Sequence, residues 1–215
     1  MSDYKAVLFD LDGTLTNTLD DIADAMNRSL RLHGLPEFPV ADYRYLVGRG
    51  ARNLALQAVR EHTELHEAVL RDYQAYYERH TLVKTCPYDG IPALLSALAA
   101  RGMKLCVFSN KPDADTRGIV RHFFPEVPFF AVRGQVEGVP VKPDPAGALA
   151  LAGACGVAPE SFLYLGDTSV DMTCARNAGM TPVGVLWGFR DEKELRESGA
   201  AHIIARPEAL LDLLD

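Results

Sequence analysis

Four short apolar runs restrict this chain more than anything else in it: KAVLF (residues 5 to 9), MKLCVFS (103 to 109), FLYLG (162 to 166) and PVGVLW (182 to 187). Each is continuous rather than alternating and rich in valine, leucine and phenylalanine, the pattern of a strand buried on both faces. A briefer run, HIIA (202 to 205), follows near the end. The segments between them suit helices. IPALLSALAARG (91 to 102) has Pro92 near its first helical position and ends at Gly102, and helices are also predicted over 113 to 123, 145 to 155, 169 to 178 and 207 to 214. Strands alternating with helices predict an α/β fold, a doubly wound parallel sheet with a Rossmann-like core.

One interval breaks that rhythm. From Asp10 to Ser109 the chain is several times longer than the roughly 30 residues a βαβ unit needs. The surplus, residues 17 to 82, reads as helical throughout. Leu19, Ile22, Met26 and Leu30 share one face, Asp20 and Asp21 sit in the first turn where the helix dipole favours them, and Gly34 then Pro36 stop the run. Leu65, Val69, Tyr73 and Tyr76 mark another face. A helical cap over 17 to 82, inserted directly after the first strand into a core of residues 1 to 16 and 83 to 215, is therefore expected.

The chain has 215 residues, 48% of them hydrophobic, and a net charge of −7. That is enough apolar material for one substantial core and a smaller satellite. No basic field gathers nucleic acid or an acidic membrane surface, so an anionic ligand must be held by a local site. Cys86, Cys106, Cys155 and Cys174 lack metal-ligand spacing and read as reduced thiols. No basic-then-apolar leader opens the sequence and no run approaches the ~20 apolar residues of a membrane span, so the expected compartment is the cytoplasm.

In open parallel sheets, ligands bind at the carboxyl ends of the strands. Asp10 with Asp12, Ser109 with Asn110, and Asp167 all fall at such ends. Singly, each has an ordinary explanation as a turn or a helix cap. Jointly, they bring carboxylates together that repel one another unless a cation is present. With no histidine or cysteine nearby in sequence, the donors suit a hard, oxygen-seeking ion such as Mg²⁺. Ser109 and Asn110 precede a predicted helix whose first amides are unpaired, a phosphate cradle with Lys111 close by. Lys142, in VPVKPDP, adds a charge on a loop stiffened by Pro143 and Pro145. Phosphoryl transfer matches such a set, because its catalysis is mostly positioning and charge neutralisation.

DLDGTLT, VFSNK, VKPDP and GDTSVD, in this order and with a helical insert after the first, resemble the haloacid dehalogenase superfamily, closest to its phosphoglycolate phosphatase-like branch. The resemblance spans nearly the whole chain, including VGRGA in the insert and LWGFRDEKEL near the end. It implies that Asp10 is the nucleophile and a ligand of Mg²⁺, and that Asp12 is the general acid and then base, its backbone carbonyl also binding the metal. It implies further that Thr14 braces the turn, that Ser109 and Lys142 hold phosphoryl oxygens, and that Asp167, assisted by Asp171, completes the metal site. A dehalogenase needs no proton donor where Asp12 stands, which disfavours halide displacement. The six lysines lie at 5, 84, 104, 111, 142 and 193, none within the cap, which disfavours relatives that use a cap lysine.

The expected reaction is hydrolysis of a small phosphorylated metabolite, with 2-phosphoglycolate the leading substrate and pyrophosphate, a sugar phosphate or a nucleotide as alternatives. Arg49, flanked by glycines in VGRGA, is expected to turn its guanidinium inward toward a substrate carboxylate; Arg52 is a weaker candidate. A phospho-accepting receiver domain and a catalytically silent binding module are rival readings. The first would be shorter and lack the insert; the second would be expected to have lost Asp10, Asp12, Lys142 or Asp167. Either a monomer or a homodimer fits the sequence.

Overall fold

The computed structural model describes residues 4 to 215, so the first three residues of the expected core segment 1 to 16 lie outside the described residues. The first apolar run forms strand β1 (Ala6–Phe9), fully buried. A two-residue strand β2 (Thr16–Asn17) leads into four helices, α1 (Leu19–Leu32), α2 (Tyr43–Leu46), α3 (Ala51–Ala58) and α4 (His66–Tyr77), before β3 (Cys86–Pro87) returns antiparallel to β2. The chain then alternates through α5 (Ile91–Ala100), β4 (Lys104–Pro112), α6 (Asp113–Phe123), β5 (Phe129–Gln135) and α7 (Ala146–Cys155). It continues through β6 (Phe162–Gly166), α8 (Ser169–Asn177), β7 (Thr181–Val185), α9 (Glu192–Glu197) and β8 (His202–Ile204).

Among the described residues the main sheet has six strands in the order β5-β4-β1-β6-β7-β8, every pair parallel. The fold is the expected α/β, Rossmann-like architecture. Side chains alternate across each strand, and both faces are covered. Val7, Phe9, Val107 and Leu165 join the cluster that includes Leu94 and Leu98 of α5 and Ile119 of α6. Leu8, Phe108 and Tyr164 join the opposite cluster with Leu151 of α7 and Ala175 of α8. Burial on both faces is why these strands read as unbroken apolar runs, each large side chain contributing about 1.5–3 kcal/mol.

Topology also sets the position of the site. The central strand β1 lies between β4 and β6, and the register pairs Phe9 with both Val107 and Leu165. Asp10, Ser109 and Asp167 therefore leave three adjacent strands at nearly the same level, at the carboxyl edge where the strand order reverses.

The helices of residues 19–77 pack around their own cluster. Ile22, Met26 and Leu30 of α1 meet Leu54 of α3 and Val69 and Tyr73 of α4, and the Ser29 hydroxyl donates to the Val69 carbonyl at 2.8 Å. Phe189 enters this cluster from the loop after β7. The buried stripe of α4 is Val69, Leu70, Tyr73 and Tyr77. Leu65 and Tyr76, expected on that stripe, lie at its edge, partly buried against the same cluster, and Tyr76 also stacks on His80. Asp21 is buried rather than a dipole partner only: it accepts backbone amides from Val83, Lys84 and Thr85 and the Thr85 hydroxyl, gripping the returning chain beside the β2–β3 pair.

Three elements differ from expectation. Within residues 207–214, expected to be α-helical, the chain forms a 3₁₀ helix over Pro207–Leu213. Strand β5 is not among the expected strands although it opens on the apolar residues Phe129 to Val132; it is a half-exposed edge strand, with Phe130 48% exposed. Helix α9 is a short polar element capped by Asp191, whose side chain accepts the Glu194 amide.

Candidate active site

Asp10 ends β1 with its backbone amide bonded to Leu165 and its Oδ1 accepting the Leu11 amide at 2.7 Å. The same carboxylate pairs with Lys142 Nζ at 2.8 Å, and Lys142 also reaches Asp171 Oδ1 at 2.7 Å and the Phe108 carbonyl at 3.1 Å. All three charged side chains are buried. The Lys142 loop is fixed by Asn110, whose Oδ1 accepts the Lys142 amide at 2.8 Å and whose Nδ2 donates to the Lys142 and Gly48 carbonyls, each at 3.0 Å. The Asn110 side chain, expected in a phosphate cradle, is thus engaged in joining three segments of backbone.

Asp167 ends β6 and is fully buried; Thr14 Oγ1 donates to it at 3.3 Å and the Phe189 amide at 2.8 Å. Gly13, at φ +83°, allows this approach: a Cβ there would sit 2.2 Å from Asp167 Oδ2. Trp187 Nε1 donates to the Thr14 carbonyl at 3.0 Å, so the loop after β7 braces the loop after β1. Asp171 is the N3 residue of α8 in a capping box with Thr168, its Oδ2 accepting the Thr168 amide and hydroxyl. The spacing Thr168-x-x-Asp171 is that of a capping box, a duty not among those expected of Asp171 from the sequence.

Carboxylate oxygens of Asp10, Asp167 and Asp171 all lie within 4.8 Å of one another. Burial, then the charge of Asp171, pushes the Asp10 carboxyl up to about 7 against the pull of Lys142. Asp167 is pushed well above the usual carboxylate range by burial and by Asp171 and Asp10. Burial works against the charged form of Lys142, yet Asp10 and Asp171 outweigh it and hold the ammonium charged. Three acids facing one ammonium leave a surplus of buried negative charge on oxygen donors alone, and a hard divalent cation fits that donor set.

Asp12 stands apart from this cluster. Its carboxylate takes Lys111 Nζ at 2.9 and 3.1 Å and the Thr18 hydroxyl at 2.7 Å. Helix α6 begins at Asp113, as expected, but β4 runs on to Pro112, so residues 109 to 111 belong to the strand rather than to a loop before the helix. Ser109 and Lys111 are consequently buried strand-end residues, with the Ser109 hydroxyl accepting the Lys111 amide at 3.2 Å, and Lys111 serves Asp12 directly.

A cavity covers this edge. Asp10, Asp12, Ser109 and Lys111 line its floor, and Ile22, Val47, Leu54, Tyr73, Gln74 and Tyr77 come from the helices above. Arg49 does not face it: the residue is exposed and lines a separate groove with Arg190 and Glu194. The inward guanidinium expected from VGRGA is corrected by Gly48 and Gly50, at φ +122° and +82°, which turn the backbone so that the Gly48 carbonyl, not the Arg49 side chain, reaches Asn110. Arg52 pairs with Glu67 on the outer surface. Phe189 and Tyr77 reach the site from distant segments, which local motifs do not report; Trp187, which reads from the sequence as packing, braces the loop after β1, and Thr18 is only six residues from the Asp12 it bonds.

The chain belongs to the haloacid dehalogenase-like hydrolases: that family's model matches residues 7–185. It is a hydrolase, and similar over most of its length to phosphatases. The Rhodospirillum rubrum phosphoglycolate phosphatase is 34% identical over 197 residues, 87% of this chain and 82% of that one. The N-acetylmuramic acid 6-phosphate phosphatase of Pseudomonas aeruginosa is 32% identical across 98% of this chain and 95% of its own. A solved Lactobacillus delbrueckii subsp. bulgaricus structure, provisionally described as a phosphoglycolate phosphatase, superposes with a TM-score of 0.92 at 30% identity, covering 100% of this chain and 99% of that one.

Proposed function

We propose that the protein is a Mg²⁺-dependent phosphatase that hydrolyses a small phosphate monoester, 2-phosphoglycolate foremost, through an aspartyl-phosphate on Asp10. The observation that carries this reading is the convergence, at one cavity floor, of Asp10 held by Lys142 at 2.8 Å and a separate acid, Asp12, held by Lys111 and Thr18. Lys142 and the Leu11 amide fix Asp10 Oδ1, which leaves Oδ2 to attack phosphorus. As the P–O ester bond breaks, Asp12 delivers its proton to the departing alkoxide. Asp12 then takes a proton from water, whose oxygen attacks phosphorus and releases phosphate from Asp10. Ser109 and Lys142 hold the phosphoryl oxygens and Thr14 keeps Asp167 in place. Mg²⁺, when bound by Asp10, Asp167 and the Asp12 carbonyl with Asp171 in support, supplies neutralisation of the phosphoryl charge.

In this reading residues 17–82 act as a cap over a core of 1–16 and 83–215, and the helices keep bulk water from the acyl-phosphate. Among the described residues no helix is long and apolar enough to cross a membrane. The substrate is a small phosphorylated metabolite, and the names borne by the relatives support 2-phosphoglycolate. The test is phosphate release from 2-phosphoglycolate, pyrophosphate, a sugar phosphate, a nucleoside monophosphate and p-nitrophenyl phosphate, with and without Mg²⁺. Turnover that needs the metal supports the proposal. A persistent phosphoprotein without turnover supports the receiver reading, and neither phosphoprotein nor turnover supports a silent module.

A further inference from the structure

Among the described residues, three buried side-chain atoms find no hydrogen-bond partner: the hydroxyls of Tyr77 and Tyr164, and Nη1 of Arg190. Tyr164 belongs to the sheet core, and Arg190 to the seam between α2 and the loop after β7, where it donates to the Tyr45 and Val47 carbonyls. Tyr77 is different, because it lines the cavity over the acids. It is 2% exposed, stacks against Tyr73 with ring centroids 5.4 Å apart, and carries the Lys111 ammonium 4.7 Å from its own ring centre. Burial, then the charges of Asp12 and Asp115, keep the phenol protonated at neutral pH, so it is a donor. A buried donor without an acceptor weakens the fold, and the fold gains nothing from it until a ligand completes the bond.

We propose that the Tyr77 hydroxyl and the Lys111 ammonium form the leaving-group subsite, receiving a carboxylate oxygen of the substrate's organic part. The inference rests on the phosphatase reading and deepens it. The cap has no lysine, and Arg49 lies outside the cavity, so Lys111 is the cation within reach of a leaving group. Lys111 already faces Asp12 at 2.9 Å, and Asp115 lines the same cavity. One ammonium among these acids attracts a further carboxylate weakly, which gives the neutral donor a decisive share. Its position beside the Asp12–Lys111 pair suits a carboxylate one carbon from the ester oxygen that Asp12 protonates.

The experiment compares wild type with Tyr77→Phe on 2-phosphoglycolate, on 2-hydroxyethyl phosphate, which replaces the carboxylate with a carbinol, and on p-nitrophenyl phosphate. The variant removes an oxygen that bonds to nothing in the protein, so Tm is expected to hold or rise. The expected result is a roughly ten-fold fall in the preference, by kcat/KM, for 2-phosphoglycolate over 2-hydroxyethyl phosphate, with p-nitrophenyl phosphate little changed. Competitive inhibition by glycolate should weaken by a similar factor, an equilibrium readout independent of turnover. An unchanged preference, an equal loss on all three esters, or a wild type indifferent to the carboxylate would each overturn the subsite while leaving the phosphatase intact. Failure of wild type to cleave any of the three would instead remove the reading on which it rests.

Discussion

On the sheet side of the cavity, Asp10, Lys142, Asp167 and Asp171 are buried and tied by short bonds to one another or to backbone. On the helical side, Ile22, Val47 and Leu54 present carbon, and the buried Tyr77 hydroxyl bonds to nothing. Under the proposed function the two halves divide the work. Chemistry common to any phosphate ester needs charges held rigidly where they develop, and a sheet edge supplies that rigidity. Recognition of one ester among many needs a surface that the substrate completes, and the helices above the sheet supply one.

Substitutions on the two sides should differ accordingly. With Asp10 as the proposed nucleophile, Asp10→Asn should abolish turnover of every ester tested; retained turnover would break the contrast outright. Asp12→Asn should cost about 10²–10⁴-fold in kcat on all substrates alike, and a loss confined to one substrate would move Asp12 to the recognition side. Lys142→Met should strip the pairing from two buried carboxylates. A cost of about 3–5 kcal/mol, the range for breaking a buried ion pair, is expected in denaturant unfolding of the metal-free protein, together with lost activity.

Acidity probes the same half by another route. The Asp10 carboxyl stands at about 7 in the folded, metal-free protein against an ordinary value of 3.8, and Asp167 is shifted the same way. The folded state therefore holds these protons more tightly than the unfolded chain. The stability that Asp10 contributes is fully present below about pH 4 and is lost as pH rises through about 7, and that of Asp167 is likewise lost on the alkaline side of the usual carboxylate range. Added Mg²⁺ relieves the surplus charge, so the rise in Tm on adding it should grow across that window. A rise independent of pH would count against the three-carboxylate site. The smallest effect belongs to Arg49→Ala, outside the cavity: a change within about two-fold in kcat/KM on any ester is expected, and a selective loss of carboxylate-bearing substrates would return Arg49 to the recognition surface.

Sequence alone determined the sheet, because strands buried on both faces leave continuous apolar runs at 5–9, 103–109 and 162–166 that little else produces. It also determined the acids and Lys142, since local motifs place them directly at strand ends or in a stiff loop. What it lacked was any interaction spanning segments. The pairing of Lys111 with Asp12 and the use of Asn110 on the Lys142 loop each depend on which neighbour a side chain finds. The direction of Arg49 was decided by two glycine torsions, and the unpartnered hydroxyl of Tyr77 by how α4 packs against α1 and α3 above the cavity. Periodicity reports which face of an element is buried; only packing decides what that face meets, so that on α4 Tyr77 lines the cavity while Tyr76, one position before it, sits at the edge of the helical cluster.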